Sequence, residues 1–256
     1  MIEYIYKEFE KSYHVTIDSR KVKAGSIFFA LKGENNDGNA YAANALQDGA
    51  ALAVIDNPHY MTKGCVLVEN SLNALQQLAN YHRHKINPPI FAITGSNGKT
   101  TTKELLYAVL SRKFKTYATV GNLNNHIGVP LTLLSITPDI DFAIIEMGAN
   151  HPGDISELCR IAEPDFGLIT NIGKAHLGGF GGFEGVKNTK GELYNFLALR
   201  DRAIFYNPQN PILVELLNKY KATNVIPYSK YFENFIVEER SENPFLSVSI
   251  SEGGKL

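Results

Sequence analysis

The segment from residue 90 to residue 102, I-F-A-I-T-G-S-N-G-K-T-T-T, limits the folds open to this chain more than any other. Its first residues are apolar or β-branched and predict a short buried strand, which Gly95 and Gly98 bring to an end. From Lys99 onward the pattern becomes helical. A strand, a glycine loop and a helix start point backbone N–H groups at one anion. The segment therefore predicts a phosphate loop within an α/β fold.

The residue types of this loop fit a nucleotide phosphate. Glycines let the backbone approach an anion without a Cβ in the way, Lys99 would reach the terminal phosphates, and the Thr100 hydroxyl would hold Mg²⁺. The general pattern G-x-x-x-x-G-K-[ST] requires glycine at position 93, where this chain has Ile93. The loop is therefore the shorter T-G-S-N-G-K-T-T form. The alternative is a glycine-rich turn that only connects two elements.

Composition and charge exclude several classes of protein. The formal net charge is −1 over 256 residues, so no electrostatic field favours nucleic acid or an anionic membrane. No apolar run reaches the roughly 18–20 residues of a spanning helix, and the start of the chain carries acids where a signal peptide has a basic region. The two cysteines, Cys65 and Cys159, lack metal-site spacing and are expected to be buried thiols in a reducing cytoplasm.

Apolar segments of strand and helix type alternate along the chain and predict an α/β fold with a mostly parallel sheet. One helix pattern stops at Asn87-Pro88-Pro89, because a residue before proline avoids the helical region. We place a domain boundary there. Residues 1–88 would form a small amino-terminal α/β domain, and residues 89–256 would form a central α/β domain of the phosphate-loop type.

Two polar segments flank the first strong strand of the first domain. Asp18-Ser19-Arg20 precedes that strand, and residues 32–38, K-G-E-N-N-D-G, follow it. Spacing alone allows two interpretations. The segments are either a pair of solvated turns or the rim of a site for a polar, phosphate-bearing ligand, with Ser19 and Arg20 as hydrogen-bond donors.

Polar side chains also follow strands in the second domain. Glu146 ends the apolar segment F-A-I-I-E, at the edge where parallel sheets bind ligands, so it is a candidate Mg²⁺ ligand, with a surface carboxylate as the alternative. His176 follows the next strand and is a candidate for metal or phosphate contact, although a lone histidine is more often structural. Lys190 lies within a helix pattern, and spacing alone predicts a solvated lysine there.

Several segments taken together resemble the Mur ligase family. They are T-G-S-N-G-K-T-T, G-N-L-N-N-H-I-G-V-P-L-T-L-L, I-I-E-M-G-A-N-H-P-G-D-I, and N-I-G-K-A-H-L-G-G-F-G-G followed by K-G-E-L. The first domain agrees, because D-S-R-K-V-K-A-G-S-I-F-F-A-L-K-G-E-N-N-D-G looks like the UDP-binding domain of that family. The segments G-N-L-N-N-x-I-G-V-P and E-M-G-A-N-H are most similar to the branch that adds D-alanyl-D-alanine. The resemblance covers essentially the whole chain.

The resemblance implies a role for each matching residue. The ATP phosphates would lie on Gly95, Ser96, Asn97, Gly98, Lys99, Thr100 and Thr101. Metal ions would be held by Thr100, Glu146, His176 and Lys190, the lysine after carbamylation with CO₂. The catalytic residues would be Lys99, Lys190 and His176. The UDP-linked substrate would lie near Ser19, Arg20, Asn124, Asn125 and Asn150.

The resemblance also implies an activity. A monomeric ligase, using ATP and Mg²⁺, would join UDP-N-acetylmuramoyl-tripeptide to D-alanyl-D-alanine through an acyl phosphate in peptidoglycan precursor synthesis, without nucleic-acid or membrane partners. The family has a third, carboxyl-terminal domain of Rossmann type, which these residues do not match. The last part of the central domain also looks absent, so we expect an incomplete enzyme that is inactive alone.

Three alternatives remain open. The first is another ATP-dependent ligase of the superfamily, such as a neighbouring Mur enzyme or the folylpolyglutamate type, which begins directly with its ATP domain. The second is a P-loop nucleotidase or switch protein. The third is a non-catalytic module that binds a UDP-sugar.

Overall fold

A computed structural model describes residues 1–173, 177–228, 235–238 and 247–250, with side chains described up to residue 228 except at 177 and 178. The amino-terminal part contains a parallel four-stranded sheet in the order β1-β2-β3-β4. Its strands are β1 (Val15–Thr16), β2 (Ile27–Phe29), β3 (Leu52–Ile55) and β4 (Cys65–Leu67). Its helices are α1 (Ile2–Phe9), α2 (Ala42–Gln47) and α3 (Ser71–Ile86).

A second, six-stranded parallel sheet follows in the order β10-β9-β8-β5-β7-β6. Its strands are β5 (Ile90–Thr94), β6 (Thr116–Ala118), β7 (Phe142–Glu146), β8 (Phe166–Ile169), β9 (Ala203–Tyr206) and β10 (Val225–Pro227). The helices of this part are α4 (Lys99–Leu110), α5 (Gly128–Leu134), α6 (Asp154–Ala162), α7 (Leu177–Phe180), α8 (Phe183–Ala198) and α9 (Pro211–Lys219). Strands β11 (Phe235–Glu238) and β12 (Ser247–Ile250) form a separate antiparallel pair.

The position of β5 fixes where a ligand can bind. Strand β5 pairs with β7 on one side and with β8 on the other, so the chain changes direction across the sheet at β5. In open α/β sheets, ligands bind outside the carboxyl ends of the strands at such a switch point. The segments that follow β5, β7 and β8 therefore meet at one edge.

Helix α3 connects the two sheets. It packs against α1 and β2 on one side and against α5 and α6 on the other, and Leu75 and Leu78 are completely buried. One apolar cluster extends from Phe29 in β2 to Val129 in α5. Each large aliphatic side chain buried in this way contributes roughly 1.5–3 kcal/mol. The relative placement of the two sheets is therefore held by apolar packing through α3.

The α/β class with a mostly parallel sheet is confirmed by this topology. The division into domains at residue 88 stays a prediction. Cys159 is buried as expected, whereas Cys65 is only half-buried, and both are free thiols. Among the residues that the structure describes, no helix has the length and apolar character needed to cross a membrane.

Candidate active site

The loop after β5 has the backbone shape that the sequence predicts. Gly95 and Gly98 have φ angles of 142° and 78°, which side chains with a Cβ adopt rarely. A Cβ on Gly95 would also collide with Oγ1 of Thr170. Gly98 is the N-cap residue of α4, so the chain turns at once from the loop into the helix. The first N–H groups of α4 have no partner within the helix, and they are the donors that this loop offers to an anion.

Asn171, which follows β8, is hydrogen-bonded to Ser96 and Asn97 at the tip of the same loop. Its Oδ1 accepts the backbone N–H of Asn97 at 3.1 Å, and its Nδ2 donates to the Asn97 carbonyl at 3.0 Å. The Asn171 carbonyl accepts the N–H of Ser96 at 3.0 Å. The N–H groups of Ser96 and Asn97 are therefore engaged by the protein itself, and these two residues shape the loop rather than offer free donors.

The Lys99 side chain folds back over the phosphate loop that precedes it. Its Nζ donates to the carbonyl of Gly95 at 2.8 Å and to that of Ser96 at 3.4 Å. Burial lowers the pKa of the Lys99 ammonium, and the nearby Glu146 carboxylate partly opposes this shift. The cation is thus held above the mouth of the loop, where a phosphate would replace the two carbonyl oxygens as its partner.

Glu146 and Thr100 meet across the ends of β7 and β5. Thr100 Oγ1 donates to Glu146 Oε2 at 3.0 Å, and Asn124 Nδ2 donates to Glu146 Oε1 at 2.8 Å. Glu146 is 2% exposed, and its own N–H donates to Thr119 Oγ1 at 2.9 Å. A buried carboxylate beside a hydroxyl is a donor set that suits Mg²⁺, which keeps several waters and takes only one or two carboxylates from a protein.

The described residues contain no group of three or more His, Cys, Asp or Glu side chains that could hold a metal ion by themselves. A divalent cation at Glu146 and Thr100 would therefore need ligands from a nucleotide and from water. This is the usual way in which Mg²⁺ binds in phosphoryl-transfer sites. The residues present fit that ion.

A cavity of about 430 Å³ opens beside the phosphate loop. Its walls come from the loop, from the segment after β6, from the segment after β7, and from α7 and α8. They are formed by Gly95, Ser96, Lys99, Asn122, Asn124, Asn125, His126, Gly148, Ala149, Asn150, His151, Asp154, Phe180, Val186 and Lys190. Thr101 is exposed in the first turn of α4 and lies outside the described wall.

The three predicted asparagines all line this cavity, but they differ in what they contact. Asn124 is bound to Glu146, as described above. The Asn125 side chain accepts the N–H groups of Ile127 at 3.1 Å and Gly128 at 2.8 Å, and so caps the start of α5. Asn150 is exposed, and its backbone N–H donates to Asp154 Oδ2 at 2.8 Å. Asn124 and Asn125 are therefore engaged through their side chains, and Asn150 is held through its backbone.

Lys190 is buried, which corrects the prediction of a solvated lysine made from spacing alone. It is 4% exposed, and its Nζ lies 5.7 Å from the centre of the Phe180 ring. Burial, together with the positive charge of Lys99, lowers the pKa of its ammonium from 10.5 to about 8. The packing of α7 on α8 contributes to this burial, and the spacing of residues within α8 alone does not predict it. A fraction of the Lys190 side chain is therefore present as the neutral amine near physiological pH.

The two polar segments of the amino-terminal part line a second cavity, of about 610 Å³. Ser19 and Arg20 line it from the segment before β2, and Lys32, Gly33 and Asn36 line it from the segment after β2. The Arg20 guanidinium pairs with Asp18 through two hydrogen bonds of 2.9 Å, which holds the Asp18 pKa at about 2. The two segments that flank β2 are thus parts of one rim.

The two cavities share a boundary. His126 lines the cavity at the phosphate loop, and Ile127, the next residue, lines the cavity at Arg20. Gln76 on α3 donates to the carbonyl of His126 at 3.1 Å and to Glu157 at 2.8 Å. These bonds hold the segment between the two cavities against α3. A ligand longer than either cavity could extend across Ile127.

The structure brings Lys99, Thr100, Glu146, Asn124 and Lys190 together at one edge of the sheet, and it places Ser19 and Arg20 at the second cavity. His176 lies outside the described residues. Sequence reasoning did not single out Asn171 or His126. The only available signal for Asn171 was its position directly after a buried strand that neighbours β5.

Comparison with known families gives two matches in separate parts of the chain. The Mur ligase family, catalytic domain, matches residues 11–87, and the Mur ligase middle domain matches residues 93–253.

Two curated relatives carry the name UDP-N-acetylmuramoyl-tripeptide–D-alanyl-D-alanine ligase. The protein from Bacillus subtilis is 39% identical over 203 residues, which are 78% of this chain and 44% of that protein. The protein from Escherichia coli is 40% identical over 196 residues, or 77% of this chain and 43% of that protein. This chain therefore aligns with less than half of the length of either relative.

Solved structures give the same picture. MurF from Acinetobacter baumannii matches with a TM-score of 0.80 and 35% identity, covering 88% of this chain and 50% of that chain. MurF ligase from Thermotoga maritima in complex with ADP matches with a TM-score of 0.79 and 31% identity, covering 88% of this chain and 52% of that chain. Each similarity extends over both sheets of this chain and about half of the other protein.

Proposed function

This chain belongs to the Mur ligase family, and on that premise we propose that it binds ATP and UDP-N-acetylmuramoyl-tripeptide for the ligation of D-alanyl-D-alanine in peptidoglycan precursor synthesis. The activity and substrates are those named for the relatives, whose length this chain covers only in part. The proposal gives the two cavities separate tasks. The cavity at Lys99 takes the triphosphate and the reacting carboxylate, and the cavity at Arg20 takes the uridine nucleotide.

One observation carries this proposal: adjacent residues, His126 and Ile127, line the two cavities. A UDP-linked peptide has a diphosphate near one end and a carboxylate at the other, so it needs two polar sites joined by a passage. The geometry fits that requirement. A protein that only hydrolyses a nucleotide has no need of the second cavity.

The chemistry requires the carboxylate to acquire a leaving group, because condensing a carboxylate with an amine is uphill in water. In the proposed reaction the γ-phosphoryl group passes from ATP to the carboxylate, and the amine of D-alanyl-D-alanine then displaces phosphate from the acyl phosphate. Lys99 offsets the repulsion between the anionic triphosphate and the carboxylate, and the N–H groups that begin α4 hold the phosphate oxygens. Asn171 keeps the loop in the shape that presents them.

Mg²⁺ would lie at Thr100 and Glu146 and, when bound, would neutralise charge that develops on the transferred phosphoryl group. Asn124 fixes the orientation of the Glu146 carboxylate, and Thr119 holds the backbone at the end of β7. These contacts orient the carboxylate towards the loop in advance of any ligand.

Lys190 would act after modification. The Lys190 ammonium first loses a proton to solvent. The neutral Nζ then attacks the carbon of CO₂, an N–C bond forms as one C=O π bond opens onto oxygen, and the nitrogen releases a second proton to solvent, so that a cation has become a carbamate anion. The lowered pKa of Lys190 favours this reaction, because only the neutral amine is nucleophilic. The carbamate would provide an anionic ligand in the wall of the cavity at the phosphate loop. His176 would be a further metal ligand, as the family resemblance implies.

Further expectations belong to this proposal. Residues 1–88 and 89–256 act as a UDP-substrate domain and an ATP domain. The chain acts as a monomer in the cytoplasm, with no membrane or nucleic-acid partner. The neighbouring Mur ligases and a P-loop nucleotidase remain the competing functions.

Calorimetric titration of the chain tests the proposal. We expect UDP-N-acetylmuramoyl-tripeptide and Mg·ATP to bind, and a folate substrate not to bind. Arg20→Ala should weaken the binding of the UDP ligand by about tenfold and leave the affinity for Mg·ATP unchanged. Lys21→Ala is the matched control, because Lys21 is the next cation and does not line the cavity. ATP hydrolysis without affinity for the UDP ligand would instead favour the nucleotidase.

A further inference from the structure

The Glu192 carboxylate is hydrogen-bonded to the backbone at the start of α6. Its Oε1 accepts the backbone N–H of Gly153 at 2.8 Å, and its Oε2 accepts that of Ser156 at 2.8 Å. Glu192 lies on α8, whereas both donors belong to the start of α6. A carboxylate from a neighbouring helix thus caps α6 with both of its oxygens.

Helix α6 depends on this external cap. Its N-cap residue is Gly153, with a φ of 92° and no side chain to accept an N–H group. The Asp154 carboxylate is turned back to the preceding loop, where it accepts the N–H groups of Asn150 at 2.8 Å and His151 at 2.9 Å. Charge-assisted bonds to the N–H groups of a helix start are among the stronger hydrogen bonds in proteins.

The capped segment forms one wall of the cavity at the phosphate loop. Residues 148–151 and Asp154 form one part of the lining of that cavity, and Val186 and Lys190 of α8 form another. Glu192 stands two positions after Lys190 on the same helix. The two hydrogen bonds of Glu192 therefore connect the wall that carries Asn150 directly to the helix that carries Lys190.

We propose that Glu192 is a positioning residue, which fixes the loop of residues 148–153 relative to Lys190 and so sets the width of the substrate cavity. The inference rests on the proposed function in one respect, that Asn150 faces the UDP-linked substrate. Glu192 does not touch the substrate. It acts through Gly153 and Ser156, and its effect is confined to the part of the cavity away from the phosphate loop.

This placement predicts a selective effect on ligands. The phosphate loop is held by Asn171 and by β5, β7 and β8, whereas the side-chain hydrogen bonds that the structure describes for Glu192 go to the start of α6. Loss of the Glu192 contacts should therefore loosen the substrate wall and leave the ATP site intact. A residue that merely stabilised the fold would affect both ligands and the whole chain.

Glu192→Gln is the decisive variant, because glutamine has the same shape but offers one acceptor oxygen in place of two. Glu184→Gln is its matched control, since Glu184 lies on the same helix with a side chain that is 71% exposed. Glu192→Asp keeps the charge on a shorter side chain and should recover part of any loss. Each variant is measured in the chain as it stands.

Two measurements test the proposal: amide hydrogen exchange, and calorimetric titration with UDP-N-acetylmuramoyl-tripeptide and with Mg·ATP. For Glu192→Gln we expect faster exchange in residues 148–156 with unchanged exchange in β5. We also expect about tenfold weaker binding of the UDP ligand, with ATP affinity unaltered. Glu184→Gln should match the unaltered chain in all respects.

Unchanged exchange in residues 148–156 of the Glu192→Gln chain would overturn the proposal. So would faster exchange throughout the chain, or an equal loss of affinity for both ligands, because each result would assign Glu192 a general structural role. If the unaltered chain fails to bind the UDP ligand, the proposed function fails. The exchange measurement then still decides whether Glu192 holds the loop against α8.

Discussion

The hydroxyl of Thr100 donates a hydrogen bond of 3.0 Å to the carboxylate of Glu146. Thr100 is the second residue of α4, the helix after the phosphate loop, and Glu146 ends β7, the neighbour of β5. The parallel pairing of β5 with β7 brings these two oxygen donors together at the carboxyl ends of the strands. The metal site of the proposed mechanism is built on this pair.

Substitution of Glu146 by glutamine should impair metal-dependent binding selectively. The amide keeps the size of the carboxylate but removes its negative charge, so we expect the affinity for Mg·ATP to fall by about 10- to 100-fold. Binding of ATP in the presence of EDTA should change little. Titration calorimetry with and without Mg²⁺ measures the difference. Glu104→Gln, at an exposed carboxylate on α4, is the control, and an equal loss under both conditions would argue against a metal role.

Lys99→Ala should abolish the main cationic contact with the triphosphate. A charge-assisted hydrogen bond to phosphate is lost, and we expect ATP affinity to fall by about 10- to 100-fold while binding of the UDP ligand is retained. Lys63→Ala, at an exposed lysine distant in sequence, should have no effect. ATP binding by the Lys99→Ala chain at its normal strength would remove Lys99 from the site.

Lys190 should form a carbamate in a pH-dependent manner. The amine must be neutral to react, and its pKa of about 8 means that the reactive fraction rises as pH increases through that value. With ¹³C-labelled bicarbonate, we expect a carbamate carbon signal in NMR spectra that is stronger at pH 8.5 than at pH 6.5. Because dissolved CO₂ itself declines at high pH, spectra are compared at equal CO₂ concentration.

Lys187 provides the matched control for that experiment. It lies on the same helix and is similarly buried, but a 2.6 Å hydrogen bond to Glu215 raises the pKa of its ammonium. Lys190→Ala should remove the carbamate signal, whereas Lys187→Ala should leave it in place. A signal that survives in the Lys190→Ala chain would show that another amine is carbamylated.

Stability should fall in mild acid because of His82. The ring is fully buried, with Nε2 2.7 Å from the Ile136 carbonyl and Nδ1 3.1 Å from the Tyr6 hydroxyl. A carbonyl can only accept, so Nε2 carries a proton. In the neutral ring, which burial favours, Nδ1 then accepts the hydrogen bond from the Tyr6 hydroxyl. Burial lowers the pKa of His82 below 6.5, so the unfolded chain binds the proton more readily. The stability contributed is complete above pH 6.5 and is lost as pH falls towards the folded pKa.

Urea unfolding at pH 7.5 and pH 5.5 measures this effect. His82→Gln should cost about 1–3 kcal/mol at pH 7.5, because buried partners are left unsatisfied, and it should flatten the dependence on pH. His59→Gln, the same change at an exposed ring, should reproduce the unaltered chain. If the His82→Gln chain keeps the full pH dependence, another group is responsible.

Local features of the fold were predictable from the sequence, and features made by distant contacts were not. Strand β5, the glycine turn and α4 follow from neighbouring residues, and so does Glu146 at the end of β7. Asn171 holds Asn97 through contacts between residues 74 positions apart, which no local pattern records.

Lys190 is a further case of the same kind. It looked like a solvated residue because α8 has polar positions on several faces, and its burial comes from the packing of α8 against other elements, among them α6, α7 and β8.

Helix α1 is a different case, because its sequence does carry a local signal that the sequence analysis did not use. Ile2, Ile5, Tyr6 and Phe9 recur at the spacing of one helix face, and the last three are buried against elements such as α3 and β2.

The central claim is that one UDP-linked ligand spans both cavities, with its carboxylate at the phosphate loop and its uracil beside Arg20. Mn²⁺ in place of Mg²⁺ makes ATP a paramagnetic probe at that loop. In the complex of this chain with Mn·ATP and UDP-N-acetylmuramoyl-tripeptide, we predict strong broadening of a ¹³C-labelled terminal carboxylate of the peptide and much weaker broadening of the uracil protons. Equal broadening of the two ends, or displacement of one ligand by the other, would contradict the account.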